Sequence, residues 1–540
     1  MIKKIILALL LISTCSATEI TLKEISSKPK SRAKDFMIWQ FLKQKNTTHK
    51  EADIAYALVN NTKNYKLRRA YIKKTKNKDI RYEIDCRKKE NLLKIKDLKC
   101  LKLAFTPYKA TKLTNEQRKE LSTRFKSQSK KDLLAILNED KNLDSYKKYS
   151  PDTILTLFGS TGQRYRAKHL NIYLNKEFID YMKESWKISS FVKTIVFNDK
   201  FDKLQISLLD IDAENLSSKT CFLLGLNSLR HSDTKNAVRF FEFSRDYAKS
   251  KMDVDKNNFW LYEITKDKKY LNKLLLSMDI NIYTLYQREK MSIEVDNYFV
   301  TLKTDSQNSK KSLTNPFHWD QIRKKIKAAK KEELFELAKD YKNIDMLPVQ
   351  AMITQKAYNH NMHSYIMPYD KYLEGLNVDT KALVYSLMRQ ESRMIPAALS
   401  RSYALGLMQI MPFVTDDISK RINNPIKSYD DMFKPCYNIR YSRAHIRWMQ
   451  KSLYHPLFMA YAYNGGLGFF KRYLLKGHFS DAKYEPFLSM EMMAQSETRE
   501  YGKKVLANYV MYKKIMGDEV SIIHLFDTLK EPQKTDCFRK

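Results

Sequence analysis

Apolar residues recur at helical spacing through the middle of the chain. Val238, Phe241, Arg245 and Ala248 follow one helix face, and Tyr270, Leu271, Leu274 and Leu275 follow another, the recurrence expected of amphipathic helices. The same region lacks helix breakers. Proline is absent from 152 to 315, and from 163 to 374 the only glycine is Gly225. Nearly half the chain therefore reads as a helical array. Within it, Leu224-Gly225 is followed by Ala237 and Phe241, the L-G…A-x3-F pattern of helix-pair repeats. Glycine lets two helices approach, alanine sits at their crossing and phenylalanine fills the next gap. Stacked repeats of this kind form a solenoid with an extended concave surface.

The last third is patterned differently. Seven of the 11 glycines follow residue 400: Gly406, Gly465, Gly466, Gly468, Gly477, Gly502 and Gly517. Tight turns are expected there. Asp379 is read as the N-cap of a helix from Lys381 to about Ser392. Val384 and Met388 share one face of it, and Glu391 falls on the same face at i+7. A carboxyl at the end of an apolar stripe loses water, which raises its pKa and suits a general acid. The bland alternative is a glutamate facing solvent at a frayed helix end. Between Asn315-Pro316 and about Tyr369 lies a short basic helical connector. His360 and His363 within it read as a surface pair, because no Asp, Glu or Cys stands near enough in sequence to complete a metal site.

Composition narrows the class. The 540 residues are too many for one core, and 11 Gly with 13 Pro exclude loop-rich sandwiches, propellers and collagen. Hydrophobic residues at 43% exclude wholesale disorder. The net charge of +37 suits a polyanionic partner. The basic residues are scattered, however, so a compositional lysine bias is the default reading. Met1-Ile-Lys3-Lys4, the apolar run Ile5 to Ile12 and Ser-Thr-Cys-Ser-Ala17 read as a secretory leader cleaved after Ala17, in preference to lipid modification at Cys15. None of the six cysteines has CxxC spacing. Cys86 and Cys100 are placed for a short disulfide loop, and spacing leaves free buried thiols equally open.

Four signals stand in order within the C-terminal third: Arg389-Gln-Glu391-Ser392, Gly406-Leu-Met-Gln409-Ile-Met411-Pro412, Ala462-Tyr463-Asn464-Gly465-Gly466 and Glu497-Thr-Arg-Glu-Tyr501. Together they resemble the soluble lytic murein transglycosylases, lysozyme-like enzymes that cleave bacterial peptidoglycan. The resemblance is strong over roughly 365 to 518. It implies a mostly all-α chain, with an α-superhelical solenoid or ring, then a linker, then a lysozyme-like α+β catalytic domain. The expected boundaries are a signal peptide at 1–17, the superhelical domain at 18–314, a helical linker at 315–368, the catalytic domain at 369–520 and a tail at 521–540.

By the same resemblance Glu391 is the single catalytic acid/base. Ser400 is a substrate-contacting serine, and Gln409 and Met411 line sugar and peptide subsites. Tyr463 hydrogen-bonds near the catalytic glutamate, and Glu497 is a second acid at the groove. Two positions depart from the family pattern: Ser442, where Asn438-Ile-Arg-Tyr-Ser442 replaces a glycine, and Gly502, which replaces the usual valine. The implied reaction breaks the β-1,4 bond between N-acetylmuramic acid and N-acetylglucosamine and closes a 1,6-anhydro ring, with no metal or organic cofactor. Asp416 and Asp417 follow Pro412 and read as first-turn helix residues rather than a second catalytic carboxylate. The expected partner is the murein glycan strand, with no nucleic acid and with peripheral association to cell-wall synthases or the outer membrane. The expected location is the periplasm. Alternatives are a muramidase that admits water at the same bond and a scaffold that binds glycan or a synthase without catalysis. The array is expected to serve substrate handling, so that a chain beginning near residue 365 still cuts short glycans.

Overall fold

A computed structural model describes residues 19–140 and 142–539. The leader and Cys15 lie outside the described residues. The described chain is mostly helix, with strand confined to Tyr298–Phe299 and His363–Ser364. No helix among the described residues is long and apolar enough to cross a membrane. The chain divides into two compact units. One comprises residues up to Lys76, Phe299–Asn359 and Ser364–Trp448. The other comprises Asn77–Tyr298, His360–His363 and the chain from Met449 onward.

The second unit holds the helical array. Its helices are short, and polar residues supply the breaks that glycine and proline do not. Ser217, Asp233, Ser250, Asp267 and Asn281 each accept a first-turn amide through the side chain. Asn215, Ser232 and Lys266 take left-handed conformations at the turns. The repeat motif holds. Helix Ser218–Arg230 packs on Thr234–Asp246, and a Cβ on Gly225 would stand 2.7 Å from the Phe241 ring. The buried stripe of the second helix is Ala237, Phe240, Phe241 and Ser244 rather than the expected Val238, Phe241, Arg245 and Ala248. The helix stops at Asp246, before Ala248, and it faces two neighbours. Phe241 also stacks on Trp260, with ring centroids 6.0 Å apart. Cys86 and Cys100 form a disulfide between helices Lys78–Lys88 and Leu98–Ala104. His363, expected at the surface, is buried with Nε2 3.0 Å from the carbonyl of Met278. Helix ends at Ala357, so the i, i+3 spacing from exposed His360 carries no helical meaning there.

His455 begins helix Pro456–Gly465, which carries the Ala462–Gly466 signal. Its Nδ1 accepts from the Leu457 amide (3.1 Å), and its Nε2 lies 2.9 Å from the Leu525 carbonyl. The neutral ring satisfies both partners, whereas an imidazolium would set N–H against N–H. Burial pushes its pKa down to about 3. A folded pKa below the unfolded value gives stability that is complete above about pH 6.5 and is lost as pH falls. Between pH 6.5 and 4.5 the loss amounts to about 2.3 kcal/mol for one such group. His455→Asn, which keeps a capping oxygen but does not titrate, is expected to start less stable and to melt with a shallower acid slope. Thermal melts across that interval test this, and an unchanged slope contradicts it.

The first unit is centred on helix Val378–Ser392, buried on all sides from Ala382 to Arg389. Its cap is Asn377, which accepts from Thr380, so Asp379 lies inside the first turn instead of capping it. The connector forms a core of its own. Ile322, Ile326, Leu334, Val349 and Ile353 pack with Leu313 and with Ile395, three residues beyond the central helix. The amide of Ala397 donates to Leu313 O at 3.1 Å. The connector thus fixes the chain where it leaves Glu391.

Candidate active site

Glu391 is half-buried, one residue from the C-terminus of helix Val378–Ser392. Arg389, two residues earlier, anchors that last turn. Its Nε donates to Ser364 O (2.7 Å), and its guanidinium lies 4.1 Å from the Tyr365 ring centre. The chain then leaves the helix through left-handed Arg393 and Met394 and meets Tyr403, Gly406 and Gln409 in the same conformation. Four non-glycine residues with positive φ in so short a stretch cost energy, and such strain concentrates at functional sites.

The loop is held by its own polar groups. Ser400 Oγ accepts from the amides of Ala404 (2.8 Å) and Ser402 (3.2 Å), so its hydroxyl proton stays available to donate. Leu405 and Ile410 exchange two backbone bonds of 3.0 and 3.1 Å. Gln409 holds its left-handed backbone by donating Nε2 to Gly406 O (2.8 Å) and Ala398 O (3.0 Å). Met411 is half-buried at the N-cap of helix Pro412–Arg421. Gly406 is required by crowding as well as by its φ of +74°. A Cβ there would stand 2.1 Å from Met432 O and 2.3 Å from Asn438 Nδ2.

Asn438, named in the sequence only as the start of the Asn438–Ser442 segment, has a role that the sequence reading did not assign. It is fully buried, donates to Leu405 O (2.9 Å) and Met432 O (2.8 Å), and accepts from the Met408 amide (2.9 Å). One amide therefore ties Leu405 and Met408, at the start of the Gly406–Pro412 turn, to Met432. Ser442, which stands where glycine was expected, is buried with its hydroxyl bonded back to Asn438 O at 2.7 Å.

Asp416 and Asp417 are not in the first turn. Pro412 starts the helix, so both fall in its second turn. Asp416 accepts from Tyr429 OH at 2.9 Å, and Asp417 pairs with Arg421 at 3.0 Å. Both carboxylates are committed to these partners.

Residues near the N-terminus brace the loop from outside. Arg32 Nη1 donates to Leu399 O (2.7 Å), Asn64 Nδ2 to Arg401 O (2.9 Å) and Lys66 Nζ to Ser402 O (2.8 Å). Buried Tyr403 lies against Phe36 and Trp39, with centroids 5.3 and 5.5 Å away. These contacts weigh against the expectation that a chain beginning near residue 365 keeps its activity on short glycans. Such a chain lacks the connector core and both aromatic partners, each worth about 3–5 kcal/mol when an aromatic is cut to alanine. It is expected to melt earlier and to lose activity on soluble glycan and on intact sacculi alike. Retained activity on soluble glycan, measured beside the full chain, would show that the bracing is dispensable.

Tyr463 and Glu497 belong to the second unit. Tyr463 is half-buried near the end of helix Pro456–Gly465. Glu497 is exposed in the first turn of helix Ser496–Ile515. The two helices meet where Gly502 admits Tyr461. A Cβ at 502 would stand 2.2 Å from that ring, which explains glycine where valine was expected. Thr498 Oγ1 donates to Asn464 Oδ1 at 2.7 Å, so two of the four signals are joined by one bond. Arg499 Nη1 donates to Met493 O at 3.0 Å. Beneath lies a buried ionic group invisible to periodicity. Lys503 pairs with Glu491 (2.7 Å) and Glu500 (3.1 Å), and Tyr283 donates to Glu491.

The Transglycosylase SLT domain family matches residues 370–485. The soluble lytic murein transglycosylase of Escherichia coli (strain K12) is 29% identical over 206 residues, 37% of this chain and 31% of that protein. The chain thus spans about a third of the length of the curated relative it matches. The X-ray structure of an inactive mutant of the lytic transglycosylase Slt from Pseudomonas aeruginosa aligns at 15% identity with a TM-score of 0.51, covering 93% of this chain and 84% of that one. The 70 kDa soluble lytic transglycosylase of E. coli aligns at 16% identity with a TM-score of 0.51, covering 95% and 85%. At these identities the likeness is one of fold, and it agrees with the expected class, mostly α with a superhelical part and a lysozyme-like part.

Proposed function

We propose that this chain, whose residues 370–485 match the transglycosylase SLT domain family, cleaves the β-1,4 bond between N-acetylmuramic acid and N-acetylglucosamine in peptidoglycan and releases a 1,6-anhydro product. The observation that carries the proposal is Glu391 itself. It stands half-buried at the end of an otherwise buried helix, beside a strained loop, while Asp416 and Asp417 are engaged elsewhere.

A retaining glycosidase that works through a covalent intermediate has a second carboxylate about 5 Å from the acid. With one carboxylate the substrate supplies the missing group. Glu391 protonates the glycosidic oxygen and the C1–O bond breaks. The 2-acetamido oxygen stabilises the cation at C1. Glu391, now a carboxylate, takes the proton of the C6 hydroxyl, and that oxygen closes on C1. The proton returns to Glu391 and no water is consumed. Ser400, with its hydroxyl proton available, and Gln409, with its amide hydrogens engaged by backbone, offer a donor and an acceptor to sugar. Met411 supplies an apolar wall, and Tyr463 and Glu497 are substrate contacts by the family resemblance alone.

The setting is the periplasm, in keeping with the leader pattern and with a Cys86–Cys100 disulfide, which persists in oxidising compartments. Purified sacculi incubated with the chain should lose turbidity and release soluble muropeptides, and Glu391→Gln should release none. Sacculi left intact by the unaltered chain would refute the proposal.

A further inference from the structure

Four cations gather at the Ser400 loop, all within the first unit. Arg32 Nη1 and Lys66 Nζ donate to Leu399 O and Ser402 O, and Arg401 stands between those two carbonyls in the chain. Arg32 and Lys66 are half-buried, whereas Arg401 and Arg323 are exposed. The guanidiniums are close enough to act on one another. Burial lowers the Arg32 pKa most, Arg323 and Arg401 lower it further, and Asp320 and Asp35 oppose them. Both acids are already engaged. Asp320 pairs with Arg323 at 2.9 Å, and Asp35 accepts from the amides of Asn60 (2.7 Å) and Asn61 (3.0 Å). Four cations therefore face two acids. Among the described residues the Arg401 guanidinium has no hydrogen bond or ion pair, and of the Arg32 donors only Nη1 has an acceptor. Helix Tyr65–Lys74, which carries Lys66, adds Arg68, Arg69, Lys73 and Lys74 and no acid. It spreads the positive field beyond the loop.

We infer that Arg32 and Arg401, with Lys66 and Arg323 beside them, form a binding site for a phosphate group. A planar guanidinium presents paired donors that fit phosphate oxygens, and a doubly charged anion matches the excess of two cations. A phosphate held between Arg32 and Arg401 clips the Ser400 loop to the N-terminal segment, at the place where Arg32 already holds Leu399 O. The inference is independent of the proposed reaction, since it needs no substrate at Glu391. Free inorganic phosphate and the headgroup of an anionic phospholipid offer the same chemistry, and the experiment separates them.

The test uses the full chain. Titration calorimetry measures the binding of inorganic phosphate at constant ionic strength, with chloride as the balancing anion. Co-sedimentation measures binding to phosphatidylglycerol vesicles. Arg401 is exposed, so Arg401→Gln should fold as the unaltered chain does. It should weaken binding about 5- to 10-fold, roughly the worth of one charge-assisted bond in a partly open site. Arg401→Lys should recover part of that loss. Lys119→Gln, which removes an exposed cation of the other unit, should bind as the unaltered chain does. Phosphate binding weakened by Arg401→Gln assigns the free ion, and vesicle binding alone, weakened in the same way, assigns the headgroup. Binding of neither, binding unchanged by Arg401→Gln, or an equal loss in Lys119→Gln would overturn the inference.

Discussion

Glu391→Gln is expected to lower glycan cleavage by at least about 10²- to 10⁴-fold, the usual loss when a general acid–base group is removed. The substitution keeps the size of the side chain and changes only its ability to give and take a proton. Glu391 is half-buried next to the end of its helix, so the fold should tolerate the amide. Melting temperature within a few degrees of the unaltered chain and retained binding to sacculi are the controls. With both controls met, turnover within a few-fold of the unaltered chain would remove Glu391 from the reaction. A variant that loses activity and also melts early would be uninformative alone, and Glu391→Asp supplies the second reading. It keeps the carboxyl about one methylene short of reach, so slow residual cleavage is expected from it and none from the amide.

Gly406→Ala is expected to cost roughly 3 kcal/mol or more, from a strained left-handed backbone and a forced clash. The added Cβ meets a carbonyl oxygen at 2.1 Å and the Asn438 amide at 2.3 Å, and neither is the free end of a flexible side chain. Asn438 must move, which releases its bonds to Leu405, Met408 and Met432. Gly375 provides the comparison. It has the same φ of +74°, with nothing within 4 Å of its Cβ position. Gly375→Ala therefore reports backbone strain without crowding and should cost about 1 kcal/mol. Chemical denaturation of both variants decides the point. Equal costs would show that the turn is not locked by Asn438, and the account of how the Gln409 loop is held would fail.

The turn chemistry of the site was legible because it is local. Gly406, Pro412 and the Gly465-Gly466 pair each announce a backbone event within a few residues, and each event occurs. The Gly225–Phe241 contact was legible for the same reason, since both residues sit on consecutive helices. What periodicity could not carry was anything set by distant chain. Arg32, Phe36, Trp39 and Asn64 reach the Ser400 loop from more than three hundred residues away. His363 reads as a polar surface residue until the carbonyl of Met278 is beside it. Lys503 lies wholly inside the protein, which composition treats as improbable until Glu491, Glu500 and Tyr283 surround it. Helix faces failed where a helix is buried on more than one side. Val384 and Met388 suggested a single stripe, but the helix is enclosed all round from Ala382 to Arg389.

The central claim is that one carboxyl group cuts the glycan without water, and the mass of the product tests it most directly. Muropeptides released from purified peptidoglycan, in a reaction that Glu391→Gln abolishes, should be lighter by one water than hydrolysis products and should resist borohydride, because the anhydro ring leaves no reducing end. Products of full hydrolytic mass that borohydride reduces would contradict the account and make the enzyme a muramidase.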